Sequence, residues 1–397
     1  MHVSFFIARR LKFKGKFASV SIAVSFLVMI LAVSVSSGFR HEIRNGLSQI
    51  SGDVQLMRPD MNYLDGTSPI EAAPDYLPYV ESLGFVEAVN PVVYRAAIVK
   101  KSDDIYGILV KGIPGGVQAV HENLSTDSLS LAVSIPSRLA AVSGLAPGDR
   151  MLTYFVGDKM KVRQFTVAAV HETIAGTDDK FLVYADISDM RQLNGWNDGK
   201  ASMLEIVLLP SCRSEEDIRS AEKEVGFVVN AYSSDNDSAV VASSSVSRFP
   251  QIFDWLGLID FNVFFILALM SIVAGFNMVS GLLIMLFENI PAIGLLKAVG
   301  MKDRSIAGAF LSSAAVLVLK GMAAGNALAA LLCVIQNQTK LLRLNPENYF
   351  VSFVPVHFDA GMIVLADAVA FVLIMLFLLI PCLFISKVDP ADTVRVR

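Results

Sequence analysis

His171 and Glu172, followed by Asp178 and Asp179, form the densest grouping of side chains in the sequence that could hold a metal or pass a proton, since imidazole and carboxylate are the groups that zinc binding and acid–base catalysis use. They fall at an expected strand end and loop, where solvated polar residues are ordinary, so no metal site is expected. There is no Gly-x4-Gly-Lys-Ser/Thr run to wrap a phosphate with backbone N–H groups. A Gly-x-Ser-x-Gly elbow and a His-Glu-x-x-His pair are absent as well, which leaves a hydrolase or protease without nucleophile or zinc. The three cysteines, Cys212, Cys333 and Cys382, have no spacing that suits a zinc site or a disulfide framework. The chain reads as non-catalytic, with no cofactor of its own.

Two charges stand out for a different reason. Lys320 and Asp367 interrupt otherwise uncharged apolar runs, and a charge at bilayer depth costs at least about 2.5 kcal/mol when it faces lipid. Either they pair with each other, or Lys320 snorkels or caps carbonyls while Asp367 reaches the outer interface. Gly321 and Gly325 beside Lys320 form a small-x3-small face that permits close helix contact.

A third group is structural in type. Residues 288–300 read as a short amphipathic helix: Asn289 is placed to accept a capping hydrogen bond, Pro291 is tolerated in the first turn, and Gly300 suits a left-handed C-cap. Ala292, Leu295, Leu296 and Val299 follow at i, i+3, i+4 and i+7 on a segment too short to cross a bilayer. That stripe must cover something, either the headgroup layer or a groove in a cytoplasmic partner.

The elements that carry these residues follow from composition. With 54% hydrophobic and 18% charged residues, the chain is too apolar for an ordinary soluble enzyme and too polar for a pure membrane bundle. A net charge of −4, with no basic run that suits a phosphate backbone, points away from a nucleic-acid partner. Crossing the hydrocarbon core takes about 20 apolar residues in a helix, and four stretches qualify: 17–38, 259–287, 305–338 and 361–385. Arg9, Arg10, Lys12, Lys14 and Lys16 precede the first, which puts residues 1–16 in the cytoplasm by the positive-inside bias. Alternation then makes 39–258 extracytoplasmic, 288–304 a cytoplasmic link, 339–360 an outer loop and 386–397 a cytoplasmic tail. Lys297, Lys302, Arg304, Lys387, Arg395 and Arg397 fall on the inner side of that scheme, and Trp255, Tyr349 and Phe353 near the outer boundary.

Residues 39–258 are numerous enough to bury a core, and their short alternating runs predict strands over 53–57, 96–101, 106–112, 151–155, 164–170, 181–185 and 204–209, with helices over 136–143 and 187–193. Gly and Pro punctuation suggests an inserted subdomain over 113–195. Polar residues return at Arg40, Glu42 and Arg44, so the first span is expected to run on as a stalk, with a second stalk before the second span. The predicted fold is an integral membrane α-helical protein of four transmembrane helices, with a large α+β extracytoplasmic domain between helices one and two.

Several runs resemble the FtsX/MacB-like ABC permeases, and among them the Lol-type lipoprotein-releasing permeases. They are residues 5–12, Ser37-Gly-Phe-Arg-His-Glu-Ile43, Gly107-Ile-Leu-Val-Lys-Gly-Ile113, residues 139–149 and 181–193, the Glu288 to Gly300 link, Asn345 to Val356, and the closing Val388-Asp-Pro-Ala-Asp392. The chain departs from many members in having Ala292 where they have glutamate, and Asn289 to Pro291 where they have basic residues. The resemblance implies a multi-pass protein of the bacterial inner membrane with both termini cytoplasmic. It implies a partner ATPase dimer that binds ATP and Mg, a second permease subunit, a lipoprotein substrate and a periplasmic chaperone. Glu288, Ala292, Ile293, Leu295, Leu296, Lys297, Val299 and Gly300 would then form the ATPase-coupling helix. ATP-driven motion of the stalks would push lipoprotein outward; the same scaffold also serves signalling to cell-wall hydrolases and export of small toxic compounds or peptides.

Overall fold

The computed structural model describes residues 16–59, 68–101, 104–121, 131–155, 160–171, 181–345, 349 and 351–382. Residues 5–12, Glu172, Asp178, Asp179 and the closing 388–392 run lie outside them. In chain order the elements are α1 (Lys16–Ser51), β1 (Val54–Met57), β2 (Ile70–Glu71), α2 (Leu77–Glu81), β3 (Val86–Lys101), β4 (Asp104–Ile113), α3 (Gly116–Val120), β5 (Ala132–Pro136), α4 (Ser137–Ser143), β6 (Arg150–Phe155), β7 (Lys161–His171) and β8 (Phe181–Asp186). There follow α5 (Ile187–Asn194), β9 (Lys200–Ala201), β10 (Met203–Leu208), α6 (Glu215–Tyr232), β11 (Val241–Ser244), α7 (Ser245–Arg248), α8 (Pro250–Glu288), α9 (Ile290–Ala298), α10 (Asp303–Thr339) and α11 (Ala360–Cys382).

Among the described residues these elements gather into two compact units, one drawing on residues 16–42, 255–345 and 351–382, the other on residues between 43 and 254 and on Tyr349. In the first unit, α1, α8, α10 and α11 are the described helices long and apolar enough to cross a membrane. Their mutual contacts follow helical periodicity. Ile306, Phe310, Ala314 and Val318 of α10 recur every fourth residue and meet Ala274, Met278 and Leu282 of α8, Ile22, Phe26 and Met29 of α1, and Ala370, Ile374 and Leu378 of α11 in one buried cluster. The remaining apolar faces stay exposed, as with Phe261, Phe264 and Phe265 of α8, the surface expected of helices that sit in lipid.

The second unit is built on a nine-stranded sheet in the order β11-β1-β10-β3-β4-β8-β5-β7-β6, and β6 pairs again with β3. The last six strands therefore close into a ring. Inward positions alternate along each strand: Val93, Val99, Ile108, Val110, Val133, Ile135, Met151, Phe155, Phe165, Val167 and Val183 fill the interior, each contributing about 1.5–3 kcal/mol relative to exposure. Strand β3 belongs to both halves of the sheet. Its first residues pair with β10 up to Val92↔Met203, and from Val93 onward it pairs with β4. The closed part thus draws on strands on both sides of position 113.

Candidate functional site

The short helix α9 occupies the link between α8 and α10, and its ends show how the local sequence sets it. Asn289 stands at the N-cap without a side-chain cap bond; its amide instead donates to Met285 O at 2.8 Å. The expected capping role is therefore replaced. The last carbonyls of α8 lack intrahelical donors, and Asn289 serves those rather than the N–H groups of α9. At the other end Gly300 has φ +90°, its N–H donates to Lys297 O at 2.9 Å and that of Met301 to Leu296 O at 3.0 Å. This is the two-bond stop that a left-handed glycine makes possible.

The faces of α9 differ sharply. Ile293 is 1% exposed, whereas Leu295 is 63% and Val299 81% exposed. Glu288, Ala292 and Gly300 are exposed too, while Leu296 is half-buried and packs with the membrane-helix cluster. Leu296 thus departs from the stripe drawn on spacing alone, and the open apolar edge is Ala292, Leu295 and Val299. Lys297 pairs with Asp303 at 3.1 Å, tying α9 to the start of α10.

Within the long helices, Asp367 does not meet Lys320. Asp367 Oδ2 accepts from Asn326 Nδ2 at 2.5 Å, and Lys320 is exposed. The reason is angular. Asn326 lies six positions beyond Lys320, a turn of about 600° at 3.6 residues per turn, so the two project from different sides of α10. The sequence contained the partner, a carboxamide in an apolar run, but its neutrality hid it beside a lysine. Gly321 and Gly325 face α1: a Cβ at Gly321 would stand 2.6 Å from Ile22 Cγ2, and one at Gly325 2.5 Å from Ala23 O.

Other contacts of this unit were not anticipated. The backbone at Pro355 lies so close to Gly38 that a Cβ there would be 2.3 Å from Pro355 O, and His357 N–H donates to Ser34 O at 3.1 Å. Gln336 holds the same loop, donating to Leu342 O and Val354 O and accepting from Leu342 N–H. Nearby, Ser36 donates to Asp260 at 2.8 Å and Arg40 lies 3.4 Å from the same oxygen, while Phe39 meets Trp255 edge-to-face at 5.6 Å. Gly38 was the legible signal, because a glycine inside a helix most often marks a close approach.

In the sheet unit, His171 Nδ1 sits 2.8 Å from Ser134 Oγ, which also contacts His121 Nε2 at 3.1 Å. Burial, with the neighbouring His121 adding to it, lowers the His171 pKa to about 4. Among the described residues no cluster of three or more His, Cys, Asp or Glu could hold a metal ion.

Comparison with known proteins adds three findings. Residues 264–390 match the family described as FtsX-like permease C-terminal, so the chain carries an FtsX-like permease domain there. It is similar to lipoprotein-releasing system transmembrane proteins named LolC. That of Neisseria meningitidis serogroup B is 23% identical over 401 residues, covering 94% of this chain and 92% of the relative. That of Xylella fastidiosa strain 9a5c is 20% identical over 400 residues with the same coverage, 94% and 92%. Of solved structures, the periplasmic region of MacB from Actinobacillus actinomycetemcomitans aligns with TM-score 0.32 and 12% identity, over 50% of this chain and 91% of that one. The extracellular domain of the ABC-type transporter YknZ from Gram-positive bacteria aligns with TM-score 0.30 and 15% identity, over 48% and 98%.

Proposed function

We propose that this chain is the membrane permease subunit of an ABC transporter of the bacterial inner membrane, with both termini cytoplasmic, and that ATP hydrolysed on a separate partner chain drives release of lipoproteins from that membrane. The observation that carries the reading is α9. It is a nine-residue helix inside the FtsX-like stretch, fixed on one side by Ile293 and open on the other through Leu295 and Val299 at 63% and 81% exposure. A helix held this way is suited to lay its apolar edge in a groove of a cytoplasmic ATPase. Likeness to lipoprotein-releasing transmembrane proteins along 94% of the chain supports the substrate class.

In this reading two permeases pair above two ATPase subunits, Mg and ATP stay on the ATPase, and closure of the motor displaces α9 and the helices joined to it. Helix α1 is unbroken from Lys16 to Ser51, which supports its extension beyond the bilayer as a stalk. The periplasmic domain then transmits the motion to a lipoprotein and hands it to a chaperone.

The test has two arms. Leu295→Asp with Val299→Asp places charge on the apolar edge and is expected to lower co-purification of the ATPase by about ten- to a hundredfold, as loss of one or two buried aliphatic side chains predicts; unchanged recovery would remove α9 as the docking element. Depleting the protein is expected to leave outer-membrane lipoproteins in the inner membrane, and normal sorting would remove the substrate assignment in favour of signalling or small-molecule export.

A further inference from the structure

The C-terminal end of α1 carries a set of contacts that the proposed docking and transport steps leave unused. The last carbonyls of a helix have no intrahelical donors, and at a flexible joint they turn to water. Here Ile50 O accepts from Lys111 Nζ at 2.7 Å and from the Tyr94 hydroxyl at 3.1 Å. Arg248 Nη2 lies 3.3 Å from both Ser51 O and Gly52 O. Two cations therefore meet the negative end of the helix dipole.

The donors are themselves held. Lys111 Nζ is 2.6 Å from Glu205 Oε2, and the two side chains are 3% and 5% exposed. Glu205 Oε1 accepts from Tyr94 at 2.7 Å and from Gln55 at 3.2 Å. Tyr94 and Lys111 are directly opposed on β3 and β4, and Glu205 lies on β10, the other neighbour of β3, so the grip spans three adjacent strands. Asp53, just past the helix, accepts from Ser48 Oγ and from Leu208 N–H and lies 3.3 Å from Arg213.

A buried ion pair is weak evidence for added stability. Burying two charges is costly, and apolar side chains of the same volume commonly leave a protein equally stable or more so. An apolar pair would nonetheless lack a directed donor for the Ile50 carbonyl in the last turn of α1. Gly52, at φ +62°, is the position where an ungripped chain would pivot.

We propose that Lys111, Tyr94 and Glu205 are positioning residues that make the end of α1 a rigid joint, so that displacement of the helix reaches the sheet instead of being spent in rotation about Gly52. This rests on the permease reading above. The test uses the full chain with the ATPase that co-purifies with it, in vesicles of phosphatidylethanolamine and phosphatidylglycerol carrying an acylated outer-membrane lipoprotein. The variant is Lys111→Met, Glu205→Leu and Tyr94→Phe together. Should that triple variant not fold, Lys111→Met with Glu205→Gln, which leaves acceptors for Tyr94 and Gln55, takes its place.

The expected result is ATP hydrolysis near the wild-type rate, lipoprotein released per ATP lower by about tenfold, and amide exchange across residues 43–52 faster by about tenfold. Unchanged release per ATP in a folded variant would overturn the proposal, as would hydrolysis and release falling in parallel, or exchange identical to wild type. A wild-type complex that hydrolyses ATP without releasing lipoprotein would instead sink the substrate assignment, and the exchange measurement would still decide whether the joint is gripped.

Discussion

At the scale of single residues, two polar pairs join the long helices across their contacts. Asp367 takes Asn326, and Asn277 donates to Ser21 at 2.5 Å. The first prediction follows. In a double-mutant cycle, Asn326→Ala and Asp367→Ala are expected to couple by about 1 kcal/mol in resistance to unfolding, whereas Lys320→Ala and Asp367→Ala add independently; coupling in the second cycle and none in the first would refute the pairing. The second concerns His171. Its folded pKa of about 4 lies below the unfolded value near 6.5, so the unfolded chain binds the extra proton and stability falls as pH drops through that window, by up to about 3 kcal/mol. Asp53, raised by burial above its ordinary 3.8, acts in the opposite sense, binding its proton more readily in the folded chain and so adding stability as pH falls through its raised pKa. A His171→Gln variant is therefore expected to lose less thermal stability between pH 7 and pH 5 than wild type, measured on the full chain in detergent, and an equal loss would show that His171 is not responsible.

At the scale of elements, spacing defines which helices exist, and backbone proximity defines how they meet. Helix α10 offers α1 two glycines where side chains would collide with Ile22, Ala23 O and Phe26. Gly325→Leu is accordingly expected to destabilise by about 1–3 kcal/mol through overpacking. Gly308, on the same helix with nothing within 4 Å of an added Cβ, is the control: Gly308→Leu should leave the thermal midpoint near wild type, and similar midpoints for the two variants would mean that α1 and α10 do not pack through this face. Helix α9 shows the complementary case. Its start and stop residues were readable, but which of its apolar side chains remain open depended on where Ile293 and Leu296 found a core.

At the scale of the whole molecule, the reading depends on sidedness. Single cysteines in place of the exposed Glu224 and Lys302, in a chain whose three native cysteines are changed to serine, give the fourth prediction. A membrane-impermeant maleimide is expected to label position 224 in intact spheroplasts and position 302 only after permeabilisation; labelling of both from one side would end the transporter assignment. The charge distribution that motivates this, five basic residues before the first span and none acidic, acts through the insertion machinery and the membrane potential, and so is a property of composition that folding does not alter.

The sequence by itself determined what depends on local chemistry. Runs of uncharged residues gave the apolar helices, alternation gave most strands of the ring, and Gly300 gave the stop of α9. Even the missed α6 had a local mark, since Ser214 and Asp217 form its capping box ahead of the buried stripe Ile218, Ala221, Val225, Val228 and Val229. Only the tertiary structure decided which groups far apart in the chain became partners: Asn326 with Asp367, Gly38 with Pro355, and Lys111 with Glu205 and the end of α1. The physical reason is that periodicity fixes the direction in which a side chain leaves its own element, whereas the identity of what it meets is set by the register of two elements against each other, and no single stretch of sequence records that.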